Sequence, residues 1–238
     1  MRQLLIVFLT SITFVLTICL IFLIYVIFDL MFIMYNYKKG NTMFKYPLTI
    51  LSFLTITLSA QTIAYNFEDD NLSSWTTNAK WMITKDKKSK VLSLLDRDHQ
   101  NPFNLCYNSN INFTDGTIST NFRANRGIID QGGGLMWRVQ DSNNYYVARF
   151  NPLEDNFRFY IVKDGIRTGI ASVDITLTQG WHTMKIVQKG SRFEGYLDDK
   201  KVLEATDKRV QKGGGVGLWT KADALSSFDD LVIEIEEK

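Results

Sequence analysis

The sequence predicts an all-β fold, a two-sheet antiparallel sandwich of jelly-roll type preceded by a hydrophobic leader. Three observations predict it. From Ala64 onward the apolar residues fall in short segments of period near two, the spacing of strands with one face buried. Turn residues separate those segments, and none carries a sustained 3.6-residue stripe. Proline is scarce and aromatic residues reach 13%, a composition that favours strands around a dense core over a disordered chain.

The leader holds two signals. Leu4 to Phe28 is almost wholly apolar, and a helix of about 20 such residues spans a bilayer. A second pattern starts at Met43, with Lys45, an apolar stretch from Leu48 to Leu58, and small residues at Ser59 and Ala60. This is the form of a secretory signal peptide cut after Ala60. The chain therefore divides into an apolar segment (1–42), a signal peptide (43–60) and a β-sandwich domain (61–238). Residues 1–42 read as an extension upstream of a true start at Met43; the alternative is a membrane anchor oriented by Lys38 and Lys39. Both readings export the domain, as a secreted, periplasmic or cell-envelope protein. Membrane contact is expected only through a retained Leu4 to Phe28 segment.

Within the domain AYNF, AKWMIT, KVLSLL, GTISTNFRA, GLMWRV, NYYVARF, NFRFYIV, WHTMKIV, RFEGYL, GVGLWT and FDDLVIEI read as strands. Asp115-Gly116, Asp164-Gly165 and Asp198-Asp199 supply residue types that tolerate the positive φ of tight hairpins. The glycine runs Gly132 to Gly134 and Gly213 to Gly215 lead into strands, whereas a phosphate-binding loop opens a helix.

Charge and cysteine content remove other classes. The chain carries 27 basic and 25 acidic side chains, and the leader holds Arg2, Lys38, Lys39, Lys45 and Asp29 among them. That leaves the domain with 23 basic and 24 acidic residues, without the positive field that nucleic acid requires. Cys106 is the one cysteine of the domain and reads as a small buried hydrophobe. His182, beside Trp181, reads as a structural hydrogen-bonding residue, and His99 lies in a polar loop.

Alternation places Arg138, Arg149 and Arg158, on three consecutive strands, away from the inter-sheet core. Tyr145, Tyr160 and Trp219 share that face, followed by Lys221 and Asp223. Flat aromatic rings and planar multi-donor guanidinium groups suit a saccharide, so these eight residues form the expected ligand-binding set. Nearby acids such as Glu154 could equally pair with the arginines. Glu68, near the first strand, and Asp229 and Asp230, near the last, form an expected calcium site, because first and last strands are often neighbours in such sandwiches.

The stretch GGGLMWRVQDSNNYYVARFNPLEDNFRFYIVKDG, then GWHTMKIVQKGSRFEGYLDDKKVLEATD, then GGGVGLWTKADALSSFDDLVI, resembles the concanavalin A-like, laminin-G-like jelly-roll domains of bacterial exported proteins. Within them it is most similar to a group of unknown function related to 3-keto-disaccharide hydrolases and family 16 glycoside hydrolases. The resemblance covers about Phe67 to Ile233 and implies an extracytoplasmic, carbohydrate-related role. The family 16 Glu-x-Asp-x-x-Glu strand has its nearest counterpart in Glu234-Ile235-Glu236-Glu237, which lacks the aspartate. The Asn-Ser-Gly that enters the arginine-bearing strand of the keto-disaccharide group is replaced by Gln131-Gly132-Gly133-Gly134. A binding module for glycans is thus the leading expectation. A glycoside hydrolase or lyase, with Asp223 or another groove carboxylate as acid/base, and a structural envelope protein remain as alternatives.

Overall fold

The computed structural model of the protein describes residues 60–236, together with the isolated residue 27. The chain divides into two units, Met1–Thr55 and Ile56–Lys238; the apolar run from Leu4 and the signal-peptide pattern from Met43 lie outside the described residues, apart from Ala60 and residue 27.

Fifteen strands follow in order: β1 (Ala60–Tyr65), β2 (Thr76–Thr77), β3 (Lys80–Asp86), β4 (Ser89–Asp96), β5 (Phe103–Phe113), β6 (Gly116–Arg126), β7 (Gly133–Asp141), β8 (Asn144–Asn151), β9 (Asn156–Lys163), β10 (Ile166–Asp174), β11 (His182–Lys189), β12 (Arg192–Leu197), β13 (Lys200–Thr206), β14 (Gly214–Lys221) and β15 (Leu225–Glu236). Residues 60–236 contain no helix. One sheet runs β13-β12-β11-β6-β15-β4-β3, with β1 also paired to β15; the other runs β10-β9-β8-β7-β14-β5-β2. All pairings are antiparallel. The two-sheet sandwich expected from the sequence is the fold observed.

The inner faces interdigitate through aromatic rings. Trp137 stacks on Tyr146 at 5.5 Å and meets Phe193 edge-on, while Phe159 and Phe193 form a T-shaped pair at 4.9 Å. Such geometries add to the burial of large apolar area. Gly195 makes room for them, since a Cβ there would lie 2.5 Å from the Phe157 ring. The Trp137 indole donates to Gln188 Oε1 at 2.8 Å, so this buried N–H is satisfied. Cys106 is buried, as expected, and burial pushes its thiol well above the usual range, which makes it inert.

Three long strands escape the sequence pattern. In β5 the asparagines, which strands disfavour, are held by tertiary hydrogen bonds: Asn104 Nδ2 donates to Thr220 Oγ1 at 2.9 Å and Asn108 Nδ2 to the Tyr65 hydroxyl at 3.0 Å. Strand β10 is an edge with a bulge between Gly169 and Ala171, and β13 is an edge with mostly exposed side chains, so neither shows clean alternation. The hairpin turns behave as expected at Asp164-Gly165 (φ 51° and 77°) and Asp198-Asp199 (48° and 62°). At Asp115-Gly116 only the glycine takes a positive φ.

Strand β7 departs from the expected alternation at Arg138. Gly215 pairs with Val139 and Val216 with Trp137, so two steps on β7 face one on β14. Arg138 is the inserted residue, at φ 48°. This bulge moves Val139 to the outer face beside Met136, whereas strict alternation grouped it with Leu135 and Trp137.

Candidate functional site

The outer face of the seven-stranded sheet collects the chemistry. Register across the sheet aligns Leu105, Trp219, Gly134, Arg149, Arg158 and Ser172 in one row. The next row runs Tyr107, Gly217, Met136, Val147, Tyr160 and Gly169. Beyond it Tyr145 and Arg167 flank Val162. Leu105, Met136, Val139, Tyr145, Val147, Tyr160, Val162 and Trp219 form a second apolar cluster separate from the main core. Tyr145, Tyr160, Trp219, Arg149 and Arg158 therefore share the face that alternation assigned to them. Tyr145 and Trp219 are buried rather than solvated.

Arg149 organises the polar end of this face. Its guanidinium is 1% exposed; Nη1 donates to Asp130 Oδ2 at 3.3 Å, and Nη2 donates to Glu154 Oε2 and Asn156 Oδ1, both at 2.8 Å. Asp130 is equally buried and also accepts from Gly132 N at 2.6 Å and Asn151 Nδ2 at 3.1 Å. Lys221 Nζ stands 3.8 Å from the same carboxylate. Glu154 is half exposed and lies 3.6 Å from Arg158, so the expected acid–arginine pairing is real here. Partial burial acts to raise the Glu154 carboxyl, but the hydrogen bond from Asn156 and the charges of Arg149, Arg158 and Lys221 outweigh it and hold the group below its ordinary value.

Two members of the expected ligand-binding set do other work. Arg138 is buried and faces away from this site: Nε and Nη2 donate to Thr114 O, Nη1 to Val210 O, and Nη2 to Asp115 Oδ1 and Gly190 O. It ties three loops together and is too deeply buried to meet a ligand on this face. The bulge that the sequence pattern does not reveal is the reason. Asp223 accepts the backbone N–H groups of Ile128, Ile129 and Asp130 at 2.7 to 3.1 Å. These bonds overcome the effect of burial and lower its carboxyl, which suits an anchor for the loop before Asp130 and not a general acid.

The missed residues are Asp130, Asn156 and above all Arg167. The guanidinium carbon of Arg167 lies 4.3 Å from the Tyr160 ring centroid, 5.7 Å from Phe103 and 5.8 Å from Trp219, at cation–π distance. Extending the Asp164-Gly165 hairpin by two residues places Arg167 opposite Val162, so the signal was present once β10 is read as a strand.

Burial pushes the Tyr145 phenol above its usual range, with the hydrogen bond from the Trp219 indole acting in the opposite direction. Two guanidinium nitrogens of this face, Arg149 Nε and Arg167 Nη1, are buried without a hydrogen-bond partner. Leaving such a group unpaired costs about 1–3 kcal/mol.

The expected calcium residues lie elsewhere. Strand β1 does pair with β15, as anticipated for the first and last strands. Glu68 Oε1 accepts Lys90 N at 2.9 Å, Asp229 Oδ2 accepts Ser89 Oγ at 3.3 Å, and Asp230 Oδ2 accepts Asn121 Nδ2 at 3.1 Å. Among the described residues no group of three or more metal-ligating side chains stands close enough to hold an ion. Burial, with smaller contributions from the Asp230 and Glu68 charges, raises the Asp229 carboxyl. A raised folded-state value favours the folded chain below the unfolded value, and that advantage is lost as pH rises through the folded one. Asp229→Asn is therefore expected to raise the melting temperature at neutral pH, with the gain vanishing in acid; thermal melts across pH check this.

His182 bridges Asp198 and the Thr178 carbonyl, each at 2.7 Å, in the structural role expected.

The two-layer arrangement, with its rows of side chains on one outer face, decides the class. The domain has a two-sheet jelly-roll fold. No family model matches the chain. It is 29% identical over 170 residues to the levanase of Bacillus subtilis, a match covering 69% of this chain and 23% of levanase. The chain thus spans about a quarter of that relative's length. Among solved structures, the carbohydrate-binding module CBM66 from Bacillus subtilis superposes with a TM-score of 0.57 at 24% identity, over 68% of this chain and 97% of that one. A Bacillus licheniformis β-glucanase gives 0.53 at 12% identity, over 74% and 98%.

Proposed function

We propose that this jelly roll is an exported saccharide-binding module whose ligand engages the outer face of the seven-stranded sheet at its Arg149 end. The observation that carries the proposal is that two buried, unpartnered guanidinium nitrogens, Arg149 Nε and Arg167 Nη1, stand on that one face. Their desolvation is offset only when a ligand supplies the missing bonds. The buried Tyr160 ring holds two guanidinium groups beside it at 4.3 and 5.9 Å, and the half-exposed Glu154, Arg158 and Lys221 form the rim. The likeness to a carbohydrate-binding module and to part of a levanase supports a sugar as the ligand class, and the signal-peptide pattern from Met43 supports export.

Binding is favoured over hydrolysis because hydrolysis of glycosides generally needs two carboxyl groups across the bond, one of them able to give a proton. Asp223 is committed to three backbone amides and Glu154 is held ionised. Titration of the full chain against a glycan panel tests the reading. Wild type is expected to bind, and Arg158→Ala, at the half-exposed rim, to bind about tenfold more weakly for the loss of a charged hydrogen bond at an unchanged melting temperature. Turnover of the bound sugar that disappears with a single carboxylate substitution would overturn it in favour of a hydrolase.

A further inference from the structure

Resting on the proposed saccharide site, we infer that the ligand bears an oxyanion, a carboxylate or a sulfate on the sugar, and that Arg167 is the residue that receives it. The argument starts from which atoms lack partners. Guanidinium nitrogens can only donate, so the two unpartnered nitrogens of the face, Arg149 Nε and Arg167 Nη1, ask for acceptors; the Trp219 indole already has one in the Tyr145 hydroxyl. A neutral sugar offers hydroxyls that both give and take; an oxyanion offers only lone pairs, and several of them.

Charge points the same way. Arg149 is matched by Asp130 and Glu154, and Arg158 lies beside Glu154. Arg167 forms no ion pair or side-chain hydrogen bond among the described residues; it rests on the rings of Tyr160, Phe103 and Trp219. Burial lowers its affinity for the proton and Arg149 works in the same direction, against smaller opposing contributions from Tyr160, Asp130 and Glu154. Arg149, Arg158, Arg167 and Lys221 stand at this face with Asp130, Glu154, Asp174 and the loop-anchoring Asp223, so the positive charge left unmatched by an ion pair is that of Arg167. A guanidinium held flat by aromatic rings keeps its fork in position for bidentate contact with a carboxylate or sulfate.

The test uses three oligosaccharides of equal length in calorimetric titration of the full chain: one of uronic acids, its carboxyl-reduced counterpart, and a sulfated form of that counterpart. At least one anionic form is expected to bind about tenfold or more tightly than the reduced one, the worth of a charge-assisted pair. The stronger of the two identifies carboxylate or sulfate. In Arg167→Gln the preference is expected to fall to near unity, the anionic sugar losing far more affinity than the reduced one. Arg167→Lys, which keeps the charge without the fork, replaces it if the glutamine variant melts early, and is expected to lose most of the preference. Equal binding of all three by wild type overturns the inference and leaves the saccharide module standing. Binding of none of these, nor of any sugar in the wider panel, overturns both.

Discussion

Replacing Arg138 with alanine will cost about 3–5 kcal/mol of stability, the range for breaking a buried ion pair from one side. The side chain is 1% exposed and gives its donors to Thr114 O, Val210 O, Gly190 O and Asp115 Oδ1. Removing it strands carbonyls of three loops, of which Val210 O is buried, and takes a cation from a carboxylate that is itself buried. A surface ion pair, by contrast, is worth about 0–1 kcal/mol, and the exposed Arg192–Glu204 contact on β12 and β13 serves as the internal control. Denaturant unfolding of Arg138→Ala and Arg192→Ala checks both. A loss below about 1 kcal/mol at Arg138 would show that the loops relax to bring water to those groups.

Arg149→Met and Asp130→Asn will each lower stability by several kcal/mol, and the double variant by less than their sum. Both side chains are 1% exposed and within 3.3 Å of each other, so either single change leaves a buried charge with a weakened partner. The expected coupling is about 0.5–3 kcal/mol, as for residues in one network. Glu154 also touches Arg149, at 2.8 Å, yet its side chain is 39% exposed, so Glu154→Gln should cost much less. This asymmetry has a practical result for the binding site. Loss of sugar binding in an Arg149 variant would mix a damaged scaffold with a missing contact, whereas Arg158 at the rim reports the contact itself.

Much of this site was legible from alternation alone. The opposite placements of Tyr145 and Tyr146, of Arg158 and Phe159, and of Trp219 and Leu218 follow from period two, and the structure agrees with each. Arg138 departs from the alternation because it is itself the inserted residue of a bulge, which also reverses Val139 after it, and GLMWRV carries no glycine or asparagine at position 138 to mark a positive φ. Asp223 looked free because the amides it accepts, at residues 128–130, are more than ninety residues away in the chain. Arg167 was overlooked because β10 is a bulged edge strand whose exposed positions blur the pattern.

By itself, then, the sequence determined the strand-rich sandwich, the near-neutral domain charge, the buried Cys106, and which residues of β8, β9 and β14 turn away from the core. These are consequences of local periodicity, which each segment carries within itself. Only the tertiary structure decided which arginine is a strut, which is matched by carboxylates, and which is left stacked on aromatic rings without an ion pair. That distinction depends on hydrogen-bond partners brought in by long-range pairing, and on burial that makes an unpaired donor costly, neither of which is a property of any single strand.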